Sequence, residues 1–504
     1  MLNLLESVLT TVWNRAGAGR KPSTVRRKQS VDESTIGITF GPVDEETGER
    51  PGKPVHLDWK DLVRHTVIVG QTGSGKSTLL RRICERFAES VSIVSFDIHG
   101  DFNRNWLLPH AASILSSEVG AKRLVVIDPA ISDRHIVSVN PLAGDDEPLQ
   151  RAFRIAGILR EQADSWGVTI DQNLTYCLVA LCEAGDSLKK PFALVHVEPF
   201  FTHEAFRLSV CAKCSEPVRN YWVNSFGSLS QEQALTSWRA VENKLTRLVL
   251  PLHDLLAPRQ GFSFNCLNEA PPKIVLCTLL HHRLDSAAVS GMDLLVGSFA
   301  GFVMARAELP SEEKCPVLAI VDEFPLLDTS RFESLLALAR KHNVAVVLGA
   351  QSFGQLSTST KHVLRNVVGN TIAMRVGPDS AKDLARSILP RDPDEDVEKN
   401  LLSFRQGEAY LQQVDKPAVK FRVRHAPDPE VTPAHQQQVL EASMQAFGVT
   451  RIALKKELTT FHNQLQRMEQ GETVTDKPTR RRARTSKSKE VSYGPTVGAF
   501  KPKE

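Results

Sequence analysis

Short, uninterrupted apolar runs alternate with longer amphipathic stretches along most of this chain. The runs His65–Val69, Val91–Phe96, Leu124–Asp128, Pro272–Leu280, Val317–Val321, Val344–Ala350 and Asn370–Arg375 have strand length and few polar interruptions, as strands buried on both faces do. The amphipathic stretches between them, among them Thr78–Phe87, Ala287–Ala307 and Phe332–His342, predict helices. This alternation predicts a doubly wound α/β core with a mostly parallel sheet, whose site lies at the C-terminal ends of the strands. Ile36–Phe40 and Pro54–Asp58 read as short strands leading into that core.

The pattern changes over residues 148–257. Pro148–Gln162, Asn173–Ala184, Thr202–Cys211, Val218–Phe226 and Gln231–Leu256 carry helical periodicity with few strand signals, which predicts an all-helical insertion. Beyond Pro433 the pattern is helical again. Leu454, Leu458, Phe461, Leu465 and Met468 span about two heptads, so a helix packed on the core or on a neighbouring subunit is expected. The expected division is an N-terminal helix and basic linker (1–35), a first core part (36–147), the insertion (148–257), a second core part (258–430), C-terminal helices (431–470) and a disordered basic tail (471–504).

Composition adds where the charge lies. With 504 residues, 41% hydrophobic and 24% charged, the chain reads as a soluble globular protein of several domains. The net charge of +4 is unevenly spread. Residues 14–28 carry Arg15, Arg20, Lys21, Arg26, Arg27 and Lys28, and residues 477–489 carry Lys477, Arg480, Arg481, Arg482, Arg484, Lys487 and Lys489, neither with an acidic residue. Such arms touch nucleic acid or acidic membrane surfaces, or merely aid solubility. The first residues place Leu2, Leu5, Val8, Leu9, Val12 and Trp13 near one helical face, suited to ordinary packing, to another subunit or to a membrane surface. No stretch approaches the ~20 apolar residues of a membrane span, so the expected location is cytoplasmic, or peripheral at the inner membrane. The eight cysteines show no disulfide framework, and Cys211-Ala-Lys-Cys214 lacks the second ligand pair of a structural zinc site.

The chemistry sits at two strand ends. Gly70-Gln71-Thr72-Gly73-Ser74-Gly75-Lys76-Ser77 fits G-x-x-x-x-G-K-[ST] at every fixed position, between a predicted strand and a helix opening at Thr78. In this Walker A arrangement the glycines let backbone N–H groups close around phosphates. Lys76 supplies charge for the β and γ phosphates, and Ser77 a hydroxyl for Mg²⁺. Val317–Val321 ends in Asp322 and Glu323, as a Walker B strand does. Asp322 is placed to hold Mg²⁺ through water and Glu323 to polarise an attacking water, so ATP hydrolysis is expected. Gln351 ends a further strand, where an amide can bond both the attacking water and the phosphate and so report hydrolysis.

At this point the chain resembles a known group. Asp322-Glu323-Phe-Pro-Leu-Leu327, then Leu336-Ala-Leu-Ala-Arg340-Lys341, then Val346–Leu356 with its Gln351-Ser-Phe-Gly-Gln355-Leu356, is similar to the TraG/TraD-type coupling proteins of conjugation and type IV secretion. Phe96-Asp97-Ile-His-Gly-Asp-Phe102 resembles the corresponding segment of HerA-type translocases, and Asn140-Pro-Leu142 and Gly407-Glu408-Ala409 recur there. The resemblance covers about residues 65–440. It implies the HerA/FtsK branch of RecA-like P-loop ATPases, hexameric rings that pump DNA with little regard to sequence, with a helical domain inserted in the motor. It also implies a trans arginine that completes a neighbour's site, for which Arg340, Arg365 and Arg375 are candidates. Arg375 stands out, since it ends a predicted strand near the presumed subunit edge. Coupling proteins carry two N-terminal membrane helices, which this sequence does not show. Three readings stay open: a DNA pump with relaxase or secretion-channel partners, a HerA-like motor working with a nuclease, and a nucleotide-gated recruitment protein that moves no DNA.

Overall fold

The structure is a computed structural model that describes residues 35–39 and 52–470, apart from 162–165, 259–260, 328–329, 355, 391–392, 415 and 426. The amphipathic N-terminal segment, the basic linker, the tail from 471 and Gln355 lie outside the described residues.

The strands are β1 (Thr35–Thr39), β2 (Pro54–His56), β3 (Thr66–Val69), β4 (Ser92–Asp97), β5 (Leu124–Ile127), β6 (His135–Ile136), β7 (Ile274–Thr278), β8 (Val317–Asp322), β9 (Val344–Ala350), β10 (Asn370–Ala373), β11 (Glu408–Gln413), β12 (Val419–Val423) and β13 (Val449–Thr450). All but β6 and β13 form one 11-stranded sheet in the order β2-β1-β12-β11-β10-β3-β9-β8-β4-β7-β5. From β10 to β5 every pairing is parallel; from β10 to β2 every pairing is antiparallel. The parallel strands are mostly apolar because helices cover both faces: β3, β4, β5, β7 and β9 are buried along their whole length.

The antiparallel part corrects the sequence reading, in which β11 and β12 were not recognised. Their turn-rich surroundings and the polar residues of Glu408–Gln413 dilute the apolar signal. The alternation Val419-Lys-Phe-Arg-Val423, with Phe421 and Val423 buried, was the cue available.

Between β5 and β7 the chain forms helices that include Pro148–Glu161, Val168–Leu188, Glu204–Cys211 and Gln231–Val249. They join the core through Asn140, whose side chain donates to the Phe192 carbonyl at 2.8 Å and accepts from the Leu142 N–H at 3.0 Å. The helix after β7 corrects the expectation that nothing in the chain approaches a membrane span. Ser286–Glu308 is long and apolar enough to cross one, yet 78% of its most apolar stretch is buried inside the protein. Its first twenty residues, Ser286–Ala305, pack against β7 and the helices Pro148–Glu161 and Gln231–Val249.

Pro433–Phe447 packs on β5 and on the helix Ser117–Arg123. Arg451–Glu469 turns back onto the helical insertion of the same chain, with Phe461 against His196 and Phe206 at centroid distances of 4.4 and 5.6 Å. Arg451 ties three regions together: it donates to the carbonyls of Pro129 (2.7 Å) and Ser132 (3.2 Å) and forms an ion pair with Asp254.

Candidate active site

The phosphate loop is pinned by its own neighbours. β3 lies between β9 and β10. Where it ends, Gly70 N–H donates to the Ala350 carbonyl (3.0 Å) and Gln71 N–H to the Arg375 carbonyl (2.9 Å). Gly75 has φ 104°, a left-handed conformation that costs a residue with a Cβ, and a Cβ there would stand 3.1 Å from the Gly407 backbone. Gly407 N–H in turn donates to the Ser74 carbonyl at 2.7 Å, so the loop is braced from the β11 side as well. The helix Lys76–Phe87 opens directly from Gly75 with no side-chain cap, which leaves its first N–H groups facing the loop as an anion site.

The acidic pair stands across from it. Lys76 Nζ lies 3.0 Å from Asp322 Oδ1 and forms an ion pair with Glu323. Burial works against the Lys76 ammonium, but the two carboxylates outweigh it and hold its pKa above the ordinary lysine value. Glu323 is buried and left-handed at φ 54°, and its N–H donates to Asp322 Oδ1 at 3.1 Å. A non-glycine residue held there is strained, and such strain concentrates at functional sites. Gly349 of β9 makes the arrangement possible: a Cβ there would meet Asp322 Oδ1 at 2.6 Å. Sequence reading gave Gly349 no role, although a lone glycine inside an apolar strand signals a close approach.

Gln351 follows β9, the strand between β3 and β8. Its Oε1 accepts from Thr72 Oγ1 at 3.3 Å, so it touches the phosphate loop directly. Lys76, Asp322, Glu323, Gln351 and the loop Gly70–Ser77 are thus brought together, although they come from three separate stretches of the chain.

Arg375 follows β10, which has its own chain on both sides, β3 on one and β11 on the other. Arg375 lies against its own phosphate loop: its Nη2 is 4.0 Å from where a Cβ on Gly73 would be. The other two arginines stand away from this loop. Arg365 donates to the Asp383 carbonyl at 3.3 Å and lies 5.9 Å over the Phe353 ring. Arg340 is exposed on the turn Arg340–His342.

Asp97 belongs to the scaffold. It is buried and accepts from the N–H groups of His99 (3.0 Å), Gly100 (2.8 Å) and Asn103 (2.9 Å), which folds the loop presenting the exposed His99 and Asp101. Burial raises its pKa against those three bonds, and the Asp322 charge adds to the rise. Cys211 and Cys214 are buried free thiols, which burial pushes up to about 11 and about 12.

Residues 45–173 match the family model for the central domain of helicase HerA. No curated protein sequence matches the chain. Among solved structures, the plasmid coupling protein TrwB in complex with the non-hydrolysable GTP analogue GDPNP is similar at 20% identity and a TM-score of 0.55, over 75% of this chain and 90% of that one. TrwB in complex with ADP and Mg²⁺ matches at 20% identity and a TM-score of 0.56, over 75% and 89%. VirB4 of Thermoanaerobacter pseudethanolicus matches at 13% identity and a TM-score of 0.50, over 80% and 98%. At the level of fold the resemblance read from the motifs is borne out: the chain shares the fold of TrwB and VirB4, a mostly parallel sheet between helices.

Proposed function

We propose that this chain is an ATP-driven DNA translocase, a coupling-protein-like motor for conjugative DNA transfer or type IV secretion. The observation that carries this reading is the convergence of Lys76, Asp322, Glu323 and Gln351 around the phosphate loop. The fold supports it, being that of a plasmid coupling protein solved with nucleotide and Mg²⁺. The site fits ATP and Mg²⁺: Lys76 and an uncapped helix start suit a phosphate, while the Ser77 hydroxyl and Asp322 suit a divalent cation. When bound, Mg²⁺ and ATP supply a polarised γ-phosphate for in-line attack.

The protein's part is to position and to move a proton. The loop Gly70–Thr78 holds the phosphate chain through backbone N–H groups. Lys76 leaves the carboxylates to meet the β and γ phosphates, which frees Glu323 to take the proton of the attacking water. Gln351, between phosphate loop and carboxylates, orients that water and reports its consumption. The active form is a homo-oligomeric ring, a hexamer by analogy of fold, with Arg340 or Arg365 completing a neighbour's site. It acts in the cytoplasm or against the inner membrane, on DNA held through phosphates without regard to sequence, and its partners are a relaxase or the secretion channel.

A second reading, a HerA-like helicase or translocase paired with a nuclease, draws support from the family match over residues 45–173. Both readings are motors, and a recruitment switch is not. ATPase activity measured with single- and double-stranded DNA of increasing length separates them: a motor is stimulated more by longer DNA until a plateau. Stimulation that is absent, or equal for a 15-mer and a kilobase fragment, would overturn the motor and leave the switch.

A further inference from the structure

We propose that Arg375 binds the phosphates of the nucleotide held by its own subunit, as a second cationic arm opposite Lys76. This rests on reading the phosphate loop as a nucleotide site and needs neither DNA nor a ring.

Three observations lead to it. The first is anchoring. β10 runs parallel to β3 in a register that ends at Ala373 opposite Val69, and two further bonds continue this ladder: Met374 N–H to the Val69 carbonyl and Gln71 N–H to the Arg375 carbonyl, both 2.9 Å. The Arg375 backbone is thereby fixed to the entrance of the phosphate loop. Met374 packs beneath it: a Cβ at Gly70 would meet Met374 Cβ at 3.0 Å, and Ser74 Oγ lies 3.8 Å from its sulfur.

The second is direction. The Arg375 guanidinium reaches Gly73, the middle of the loop, with Nη2 4.0 Å from the position of a Cβ there. Because Gly73 has no side chain, nothing from that residue separates the guanidinium from the space the loop encloses.

The third is an unmet donor. Arg375 Nε is buried without a hydrogen-bond acceptor. Among the described residues Arg375 forms no ion pair, whereas Lys76 on the opposite flank is held by two carboxylates. A buried donor without a partner calls for explanation, and a phosphate oxygen is the acceptor a guanidinium fits best, often through two N–H groups at once. Arg375 thus serves its own site, and β10–β11 gains a direct link to nucleotide occupancy.

The test is titration of a fluorescent ATP analogue, and then of ADP and AMP, into DNA-free protein over a range of protein concentrations. Arg375→Ala is expected to weaken triphosphate and diphosphate binding about 10- to 100-fold, AMP less, and by the same factor at every protein concentration. Arg375→Lys should recover part of the loss, and the melting temperature of the nucleotide-free variants should stay near wild type. Mixing Arg375→Ala with Glu323→Gln subunits, at an ATP concentration between the affinities of wild type and Arg375→Ala, should restore no ATPase activity, because the first subunit stays empty and the second lacks its base. A loss seen only at concentrations where subunits assemble, or rescue on mixing, would overturn the proposal in favour of a trans role. A loss matched by a lower nucleotide-free melting temperature in both variants would assign Arg375 to structure alone. Wild-type protein that binds no nucleotide would instead bring down the site reading beneath it.

Discussion

His65 stands at φ 65° just before β3, fully buried. Its ring contacts fix one tautomer. Nε2 faces the Leu336 carbonyl at 2.9 Å and must carry the proton, while Nδ1 accepts from the Val346 N–H at 3.2 Å. Burial lowers its pKa to about 4, against the pull of the Leu336 carbonyl and helped by the Arg340 charge. A second proton would set an N–H against the Val346 N–H, so the fold holds the neutral ring. In the unfolded chain the same ring titrates near 6.5. Between about 6.5 and about 4 the unfolded state therefore binds more protons, and stability falls as pH falls. The contribution is complete above about 6.5 and amounts to about 3 kcal/mol at most. Denaturant unfolding measured from pH 7.5 to pH 4 should show this loss. His65→Asn should be less stable at pH 7.5, yet its stability should fall less steeply through this window, by up to one proton. His110, which burial also lowers to about 4, leaves a residual slope in that variant. An unchanged slope in His65→Asn would mean that His65 does not carry the effect.

At the scale of elements, β9 is the strand on which the site turns. It lies between β3 and β8, so its end falls between phosphate loop and carboxylates, and the chain beyond it runs to Phe353, whose N–H donates to Ser380 Oγ at 3.0 Å. That bond joins the segment after Gln351 to the helix Pro378–Ala385, the route the proposed sensor role would use. Gln351→Ala should bind ATP normally and lose stimulation by DNA, with the DNA-stimulated rate falling by a much larger factor than the basal rate. If basal and DNA-stimulated rates fall by equal factors, Gln351 belongs to the chemistry and reports nothing. How much of this was legible differs by element. The parallel strands declared themselves as apolar runs, and the phosphate loop as a fixed spacing of glycines and lysine, because both depend on residues close in sequence. Neighbour relations were legible only in part. A strand parallel and adjacent to the Walker B strand was expected to carry Gln351, and β9 does pair parallel with β8, but its insertion between β8 and β3, and the place of β10 between β3 and β11, were not legible. Gly349 was passed over because only the neighbouring strand reveals its closeness to Asp322.

The whole molecule sets where DNA would be held. The described chain ends on the helix Arg451–Glu469, which packs on the helical insertion, and His203 of that insertion lies 3.4 Å from Glu469. The last described residues therefore lie beside the insertion. Deleting residues 477–504 removes nine cationic side chains, Lys477, Arg480, Arg481, Arg482, Arg484, Lys487, Lys489, Lys501 and Lys503, against Glu490 and Glu504. If the tail holds phosphates, each phosphate it no longer neutralises flattens the dependence of log affinity on log salt by about 0.9 for duplex DNA and about 0.7 for a single strand. DNA binding should therefore weaken most at low salt and little at high salt. Basal ATP turnover and the melting temperature should stay unchanged, since no residue of the site lies in the deleted segment. The comparison of both DNA forms matters, because the ratio of the two slope changes identifies the strand state the tail meets. A salt slope identical to that of the full chain would mean that the tail meets no DNA and that the cationic surface the proposed motor uses lies in the basic segment 14–28 or within residues 35–470.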